Sequence, residues 1–267
     1  MRTVNNLMDL SGRVVLITGG AGHLGRAMAD ALSELGASIA IVDRTEESCG
    51  SAVEWLTQRH PAPVLPFVAD LEDEAAVIAL PGRVAEALGG LDILVNCAAF
   101  VGTSGLEGWS VPFESQSVDT WRRAMEVNLT AVFALTQAAA PLLKSKGHGS
   151  IINISSIYGV HGPDLRLYQG TGMNNPAAYA ASKGGLLQFT RWCATVLAPE
   201  IRVNAITPGG VFRNQDGSFV ERYIEKTPLK RMAREEDFKG VVSFLASDLS
   251  AYVTGQNIAV DGGWGVW

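Results

Sequence analysis

The chain has 267 residues, of which 47% are hydrophobic and 18% charged, with a formal net charge of −6. This composition describes a globular protein able to bury a sizeable core and excludes an intrinsically disordered one. The acidic balance argues against a nucleic-acid or anionic-membrane surface, each of which needs clustered basic residues.

The N-terminal stretch "MRTVNNLMDLSG" has no continuous apolar segment, so no signal peptide is expected. No apolar run approaches the about 18 residues of a membrane span. Cys49, Cys97 and Cys193 are odd in number and lack CxxC spacing, which suits reduced thiols in a cytoplasmic protein and no metal-ligating set. Short Val- and Ile-rich runs then recur at 13–18, 38–42, 63–68, 92–96, 150–155, 201–206 and 257–260. They read as buried strands. Amphipathic patterns between them predict helices over 23–35, 45–59, 72–88, 118–145, 176–198 and 234–247. Strand alternating with helix implies parallel pairing and right-handed crossovers. The expectation is an α/β chain: one doubly wound Rossmann domain over 1–267, with about seven parallel strands and helices on both faces. Two segments break the alternation, 157–175 and 207–228. Both follow strand C-terminal ends, where open α/β sheets bind ligands.

The first strand runs into "TGGAGHLGRAMADAL". Gly20, Gly22 and Gly25 satisfy G-x-G-x-x-G between a strand and a helix, the context in which that pattern signals a dinucleotide pyrophosphate. The second strand ends in "IVDR", 18 residues past Gly25. A carboxylate at Asp43 can accept both hydroxyls of an adenosine ribose and repel a 2′-phosphate, which favours NAD(H) over NADP(H). Arg44 could instead greet that phosphate, and Asp43 could be a plain helix N-cap. Tyr179 and Lys183, in "AAYAASKGG", lie four apart on one face of a predicted helix. A free phenol, with a pKa near 10, is a poor base at neutral pH; an ammonium one turn away would stabilise its phenolate.

Together "TGGAGHLG", "ADL" (69–71), "NCAA" (96–99), "VNLT" around Asn128, "ISS" (154–156), "YAASK" (179–183), "TPGG" (207–210) and "VDGGW" (260–264) resemble the short-chain dehydrogenase/reductases over nearly the whole chain. The resemblance implies an NAD(P)-dependent oxidoreductase that interconverts a secondary alcohol and a ketone. It implies Tyr179 as general acid/base, Lys183 as its electrostatic partner and ribose ligand, and Ser156 as the group holding the substrate oxygen, with Ser155 as the alternative. Asn128 would hold a water that connects Lys183 to solvent. For the cofactor it implies Gly19, Gly22, His23, Leu24 and Gly25 in the phosphate loop, and Asp43 and Arg44 at the ribose. Asp70 and Leu71 would flank adenine. Asn96 would steady the central strand, with Ala98 near the ribose, and Pro208, Gly209 and Val211 would form the carboxamide turn.

Three features depart from the usual pattern. His23 stands where a glycine is common, giving TGxxGxxG. It reads either as a cover for the helix N-terminus or as a pyrophosphate contact. Cys97 replaces an asparagine and reads as a buried filler. Ser156 and Tyr179 are separated by an extra stretch, roughly 161–173, whose polar composition suggests a substrate with hydroxyls or charge. The segments around 156–173 and 207–223 resemble those of bacterial oxidoreductases of surface-glycan and flagellin-sugar biosynthesis. That resemblance implies a sugar-like substrate, with Arg166, Tyr168, Arg213, Asn214 and Gln215 as candidate contacts. A 3-oxoacyl-thioester reductase, an NAD-retaining sugar epimerase or dehydratase, and a non-catalytic dinucleotide sensor are the alternatives. Apolar positions such as Phe133, Leu187, Phe189 and Trp192, and the apolar ending "GQNIAVDGGWGVW", suggest a homotetramer or homodimer with no nucleic-acid or membrane partner.

Overall fold

A computed structural model describes residues 1–101 and 104–267. Seven strands form one sheet: β1 (Val14–Thr18), β2 (Ser38–Asp43), β3 (Val64–Val68), β4 (Ile93–Asn96), β5 (Gly149–Ile154), β6 (Ile201–Pro208) and β7 (Asn257–Val260). Their order is β3-β2-β1-β4-β5-β6-β7, and every adjacent pair is parallel. The chain walks outward from β1 to β3, then returns across β1 to β4. The C-terminal ends of β1 and β4 therefore diverge, which opens the crevice where such sheets take their ligands.

The central strands are largely apolar because both faces are covered, whereas the edge strands β3 and β7 are partly exposed. Alternate residues serve opposite layers. Val14, Leu16, Leu94, Ile151 and Val203 turn towards α4 (Glu74–Leu88), α6 (Ala131–Lys146) and α7 (Ala177–Val196). Val15, Ile17, Ile93, Val95 and Ile152 turn towards α2 (His23–Glu34), α3 (Glu46–Thr57) and α9 (Lys239–Ala246). The expected α/β architecture is the one observed.

Several boundaries differ from the sequence reading. The helix expected over 118–145 is α5 (Val118–Met125) and α6, joined by a π-turn at Glu126–Thr130 that carries Asn128. The combined run Val118–Lys146, 29 residues, is long and apolar enough to cross a membrane. Here its stripe of Ala131, Leu135, Ala139 and Leu143 is buried against the sheet. The last expected helix, 234–247, begins as a 3-10 turn (Glu235–Phe238) before α9. A short α1 (Val4–Met8) and α8 (Gly217–Lys226) were not expected. Helix α8 lies inside the 207–228 segment; Asp216 caps it, accepting from the Ser218 N–H at 2.9 Å, and it buries Phe219 and Tyr223.

Candidate active site

A cleft of about 1230 Å³ opens above β1 and β4. Its floor at the phosphate end is shaped by glycines. Gly19 has φ +64, and a Cβ there would stand 2.8 Å from the Ala98 Cα. A Cβ on Gly25 would stand 2.1 Å from the Gly19 carbonyl oxygen, so only glycine lets α2 start so close to the strand. Gly22 caps α2 without a side-chain bond, leaving the first-turn N–H groups without a side-chain partner where Gly22, His23, Leu24 and Gly25 line the cleft. Gly20, the first glycine of the G-x-G-x-x-G reading, turns away instead. Its Cβ position faces Ile41 at 3.1 Å, so the working set is Gly19, Gly22 and Gly25. His23 projects outward and stands 3.8 Å from Glu235, beside an Arg213–Glu235 ion pair of 2.6 Å.

Asp43 ends β2 and lines the same cleft. It accepts from the Arg44 N–H at 2.9 Å, whereas Thr45 caps α3, accepting from the Ser48 N–H at 3.2 Å. The helix-cap alternative for Asp43 is therefore excluded. Arg44, Asp70, Leu71, Ala98, Pro208, Gly209 and Val211 line the cleft as well. The Thr18 hydroxyl accepts from the Cys97 and Ala98 N–H groups at 3.1 and 3.3 Å, which pins β4's exit beside β1. Burial pushes the Cys97 thiol up to about 11, in keeping with an inert filler.

Beyond β5 the two candidate serines separate. The Ser155 hydroxyl donates to the Lys183 carbonyl at 3.0 Å and is a structural tie. Ser156 caps the turn Ile157–Gly159, accepting from the Tyr158 N–H at 3.2 Å, and lines the cleft together with Tyr179. Gly159 lets α7 pack against this turn; a Cβ would stand 2.7 Å from the Lys183 carbonyl carbon. Lys183, 3% exposed, donates from Nζ to the Ile154 carbonyl at 2.7 Å and lies 5.8 Å from the centre of the Tyr179 ring. Burial lowers its pKa to about 8. Burial also raises the Tyr179 phenol above its ordinary value, with the Ser156 hydroxyl opposing. Desolvation thus opposes the stabilisation expected from the ammonium, one proton of which goes to the Ile154 carbonyl.

Three expected residues stand outside the cleft wall. Asn96 turns inward and donates to Asn153 Oδ1 at 2.8 Å; Asn153 donates in turn to Thr190 at 2.9 Å, joining β4, β5 and α7. Asn96 is therefore a strand tie, not a cofactor contact. Asn128 is fully buried behind the wall. Its amide donates to the Phe100 carbonyl (3.2 Å) and Ser182 hydroxyl (3.1 Å) and accepts from the Phe100 N–H (2.8 Å), so neither amide proton remains for a water. Arg166, with 81% of its side chain exposed, turns out to pair with Asp164 at 2.8 Å. Asp164 also holds Lys226 at 3.1 Å.

Asp164, Arg166 and Lys226 are thus tied to one another, and none of them lines the cleft. The face turned to the cleft carries Tyr158, Tyr168 and Met173, and α8 adds Phe219 and Tyr223. The Tyr223 hydroxyl accepts from the Gly210 N–H at 2.5 Å. Trp264, 2% exposed, stacks on Tyr223 at 6.1 Å behind this wall. Tyr168, Arg213, Asn214 and Gln215 all line the cleft as expected positions. Tyr158 and Tyr223 were missed. The first lies two residues past Ser156, and the second repeats Phe219 at helical spacing, a signal obscured by the Gly- and Asp-rich lead-in to α8.

The family model described as enoyl-(acyl carrier protein) reductase matches residues 19–265. The chain is 33% identical over 261 residues to the 3-oxoacyl-[acyl-carrier-protein] reductase FabG of Thermotoga maritima, covering 96% of this chain and 99% of that protein. It is 35% identical over 257 residues to a trans-4-hydroxycyclohexanecarboxylate dehydrogenase of Sinomonas cyclohexanicum, covering 94% and 92%. Among solved structures, a gluconate 5-dehydrogenase of Burkholderia cenocepacia in complex with NADP and tartrate superposes with a TM-score of 0.87 at 30% identity, covering 99% and 100%. The chain belongs to the short-chain dehydrogenase/reductases, and it is an oxidoreductase of alcohol and ketone groups.

Proposed function

We propose that this protein interconverts a secondary alcohol and a ketone on a sugar or sugar-derived ring, with NAD(H) as its preferred cofactor. Its setting would be the biosynthesis of surface glycans or flagellin sugars. The observation that carries the reading is that Ser156, Tyr179 and Lys183 line one cleft together with Asp43 and the glycine cradle. The cradle fits a pyrophosphate: a Cβ at Gly25 would fill it, and the N-terminus of α2 faces it unpaired. Asp43 would hold the adenosine ribose, and Pro208, Gly209 and Val211 the carboxamide. When bound, the dinucleotide supplies or accepts the hydride.

The chain's own residues handle the oxygen and its proton. Ser156 donates to the substrate oxygen and fixes its place next to Tyr179. In the reductive direction Tyr179, kept protonated by burial, gives its proton to that oxygen as charge develops there; in the oxidative direction it takes the proton back. Lys183 stabilises the resulting phenolate from one turn below, and the charge of an oxidised nicotinamide adds to it. Asn128 acts by position, tying Phe100 on one wall to Ser182 in the helix that carries Tyr179. The NADP found with the gluconate dehydrogenase makes cofactor preference a question for Asp43, whose carboxylate would repel a 2′-phosphate.

The test is a screen of sugars, sugar acids and cyclic alcohols by NAD(H) absorbance, with a 3-oxoacyl thioester as control. Turnover should fall by at least about a thousandfold in Tyr179→Phe, while NADH binding stays within about threefold. Unchanged turnover in that variant would refute the proton-transfer role, and activity confined to the thioester would move the reading to acyl reduction.

A further inference from the structure

We infer that Tyr158 and Tyr168 form a paired-phenol site that binds a second oxygen function of the substrate, separate from the oxygen at the reacting carbon. This rests on the oxidoreductase reading and narrows it to bifunctional substrates: ring diols, ring hydroxy acids and sugars rather than simple alcohols.

The two rings come from different turns. Tyr158 belongs to the 3-10 turn that Ser156 caps, and Tyr168 ends the 3-10 turn Leu165–Tyr168. Both line the cleft with Tyr179. Their hydroxyls meet at 2.5 Å. The pair owns two phenolic protons, and one of them makes that bond. Among the hydrogen bonds of the described residues neither hydroxyl has a partner besides the other. Whichever phenol donates to the other, one proton is left over at the cleft. In the open cleft that proton faces solvent, and a ligand oxygen that displaces the water can accept it.

The neighbours point the same way. Tyr168 packs on Phe219 at 5.4 Å and Tyr158 on Trp264 at 6.3 Å, so neither ring is free to swing its hydroxyl out of the cleft. Burial raises both phenols, and they remain donors across the working pH range. Several other polar groups of this end are already engaged, while Asn174, Asn175 and Asn214 also line it. Arg213 is held by Glu235, the Gln215 amide donates to the Val211 carbonyl at 2.8 Å, and the Ser110 hydroxyl donates to the Asn174 carbonyl at 3.0 Å. The loop's charges, Asp164, Arg166 and Lys226, are paired with one another. A free phenolic proton set among aromatic faces suits a saturated ring, whose C–H faces lie on the rings while one substituent oxygen accepts the bond.

The experiment compares kcat/KM with NAD for cyclohexanol, the cyclohexanediols, 4-hydroxycyclohexanecarboxylate and galactose. The enzymes are the parent, Tyr158→Phe, Tyr168→Phe and the double variant, each first checked for NADH binding. The parent should prefer at least one oxygenated ring over cyclohexanol by about tenfold or more, chiefly through KM. Each single variant retains one phenolic proton and should keep that preference within about threefold. The double variant should lose it, its kcat/KM for the oxygenated ring falling to within about threefold of its own value for cyclohexanol. A preference that survives in the double variant, or that the parent never shows, overturns the paired-phenol site and leaves the oxidoreductase reading standing. A parent that oxidises none of these alcohols removes both.

Discussion

Replacing Lys183 by methionine separates what that residue does for chemistry from what it does to the fold. Burial lowers its pKa from 10.5 to about 8, a drop that corresponds to about 3 kcal/mol of lost stability when the native ammonium is charged. Below about pH 8 both folded and unfolded chains hold the proton, and the full penalty applies. As pH rises from about 8 towards 10.5 the native state releases its proton first, and the penalty fades to about 1 kcal/mol near pH 9.5. Methionine conserves the volume and removes the charge. It also forfeits the bond to the Ile154 carbonyl, a pH-independent loss of about 1 kcal/mol. The expected result is a catalytically dead variant that is more stable than the parent by about 2 kcal/mol near pH 7, converging with it near pH 9.5. Urea denaturation followed by tryptophan fluorescence, without dinucleotide, measures both values. A stability difference that does not change between these pH values would refute the claim that Lys183 is held as a desolvated cation.

Asp43→Ala should relax cofactor choice, lowering the ratio of kcat/KM for NAD over NADP by about tenfold or more; a parent that already prefers NADP would defeat the ribose argument. Gly25→Ala forces a Cβ to within 2.1 Å of the Gly19 carbonyl oxygen, where only backbone could yield. It should abolish NADH binding in fluorescence titration and lower stability by about 1–3 kcal/mol. Tyr223→Phe removes the acceptor for the Gly210 N–H, and should raise KM for NADH more than it lowers kcat. The exposed side chains of Phe133 on α6 and Trp192 on α7 flank Phe189, which stacks on Trp192 at 6.4 Å. They predict a homotetramer by light scattering, and a monomeric mass at micromolar concentration would count against that assembly.

The sheet was legible because strands covered by helices are rich in Val and Ile, and each of the seven runs is. The phosphate cradle was legible because the close approach of Gly25 to Gly19 tolerates no other side chain. The aromatic wall was not, since the direction of a loop side chain depends on partners distant in sequence. Asp164 draws Arg166 outward only because Lys226 comes from another helix to join them. Asn96 and Asn128 stand out in the sequence, yet their orientation is set by Asn153 and Ser182, tens of residues away. The π-turn around Asn128 leaves no periodic trace in a run that reads as continuous helix.

Residues 18–19, 22–25, 43–44, 69–71 and 97–98 line the end proposed for the dinucleotide, whereas the turns at 157–168 and helix α8 line the other. The Tyr223 hydroxyl on α8 accepts from the Gly210 N–H, tying that second set to the turn after β6. Redesign for a new substrate can therefore proceed by rewriting two surface segments while the nucleotide grip is left alone, provided that seam is preserved. The same partition explains how one scaffold can diversify its chemistry by small edits at its rim.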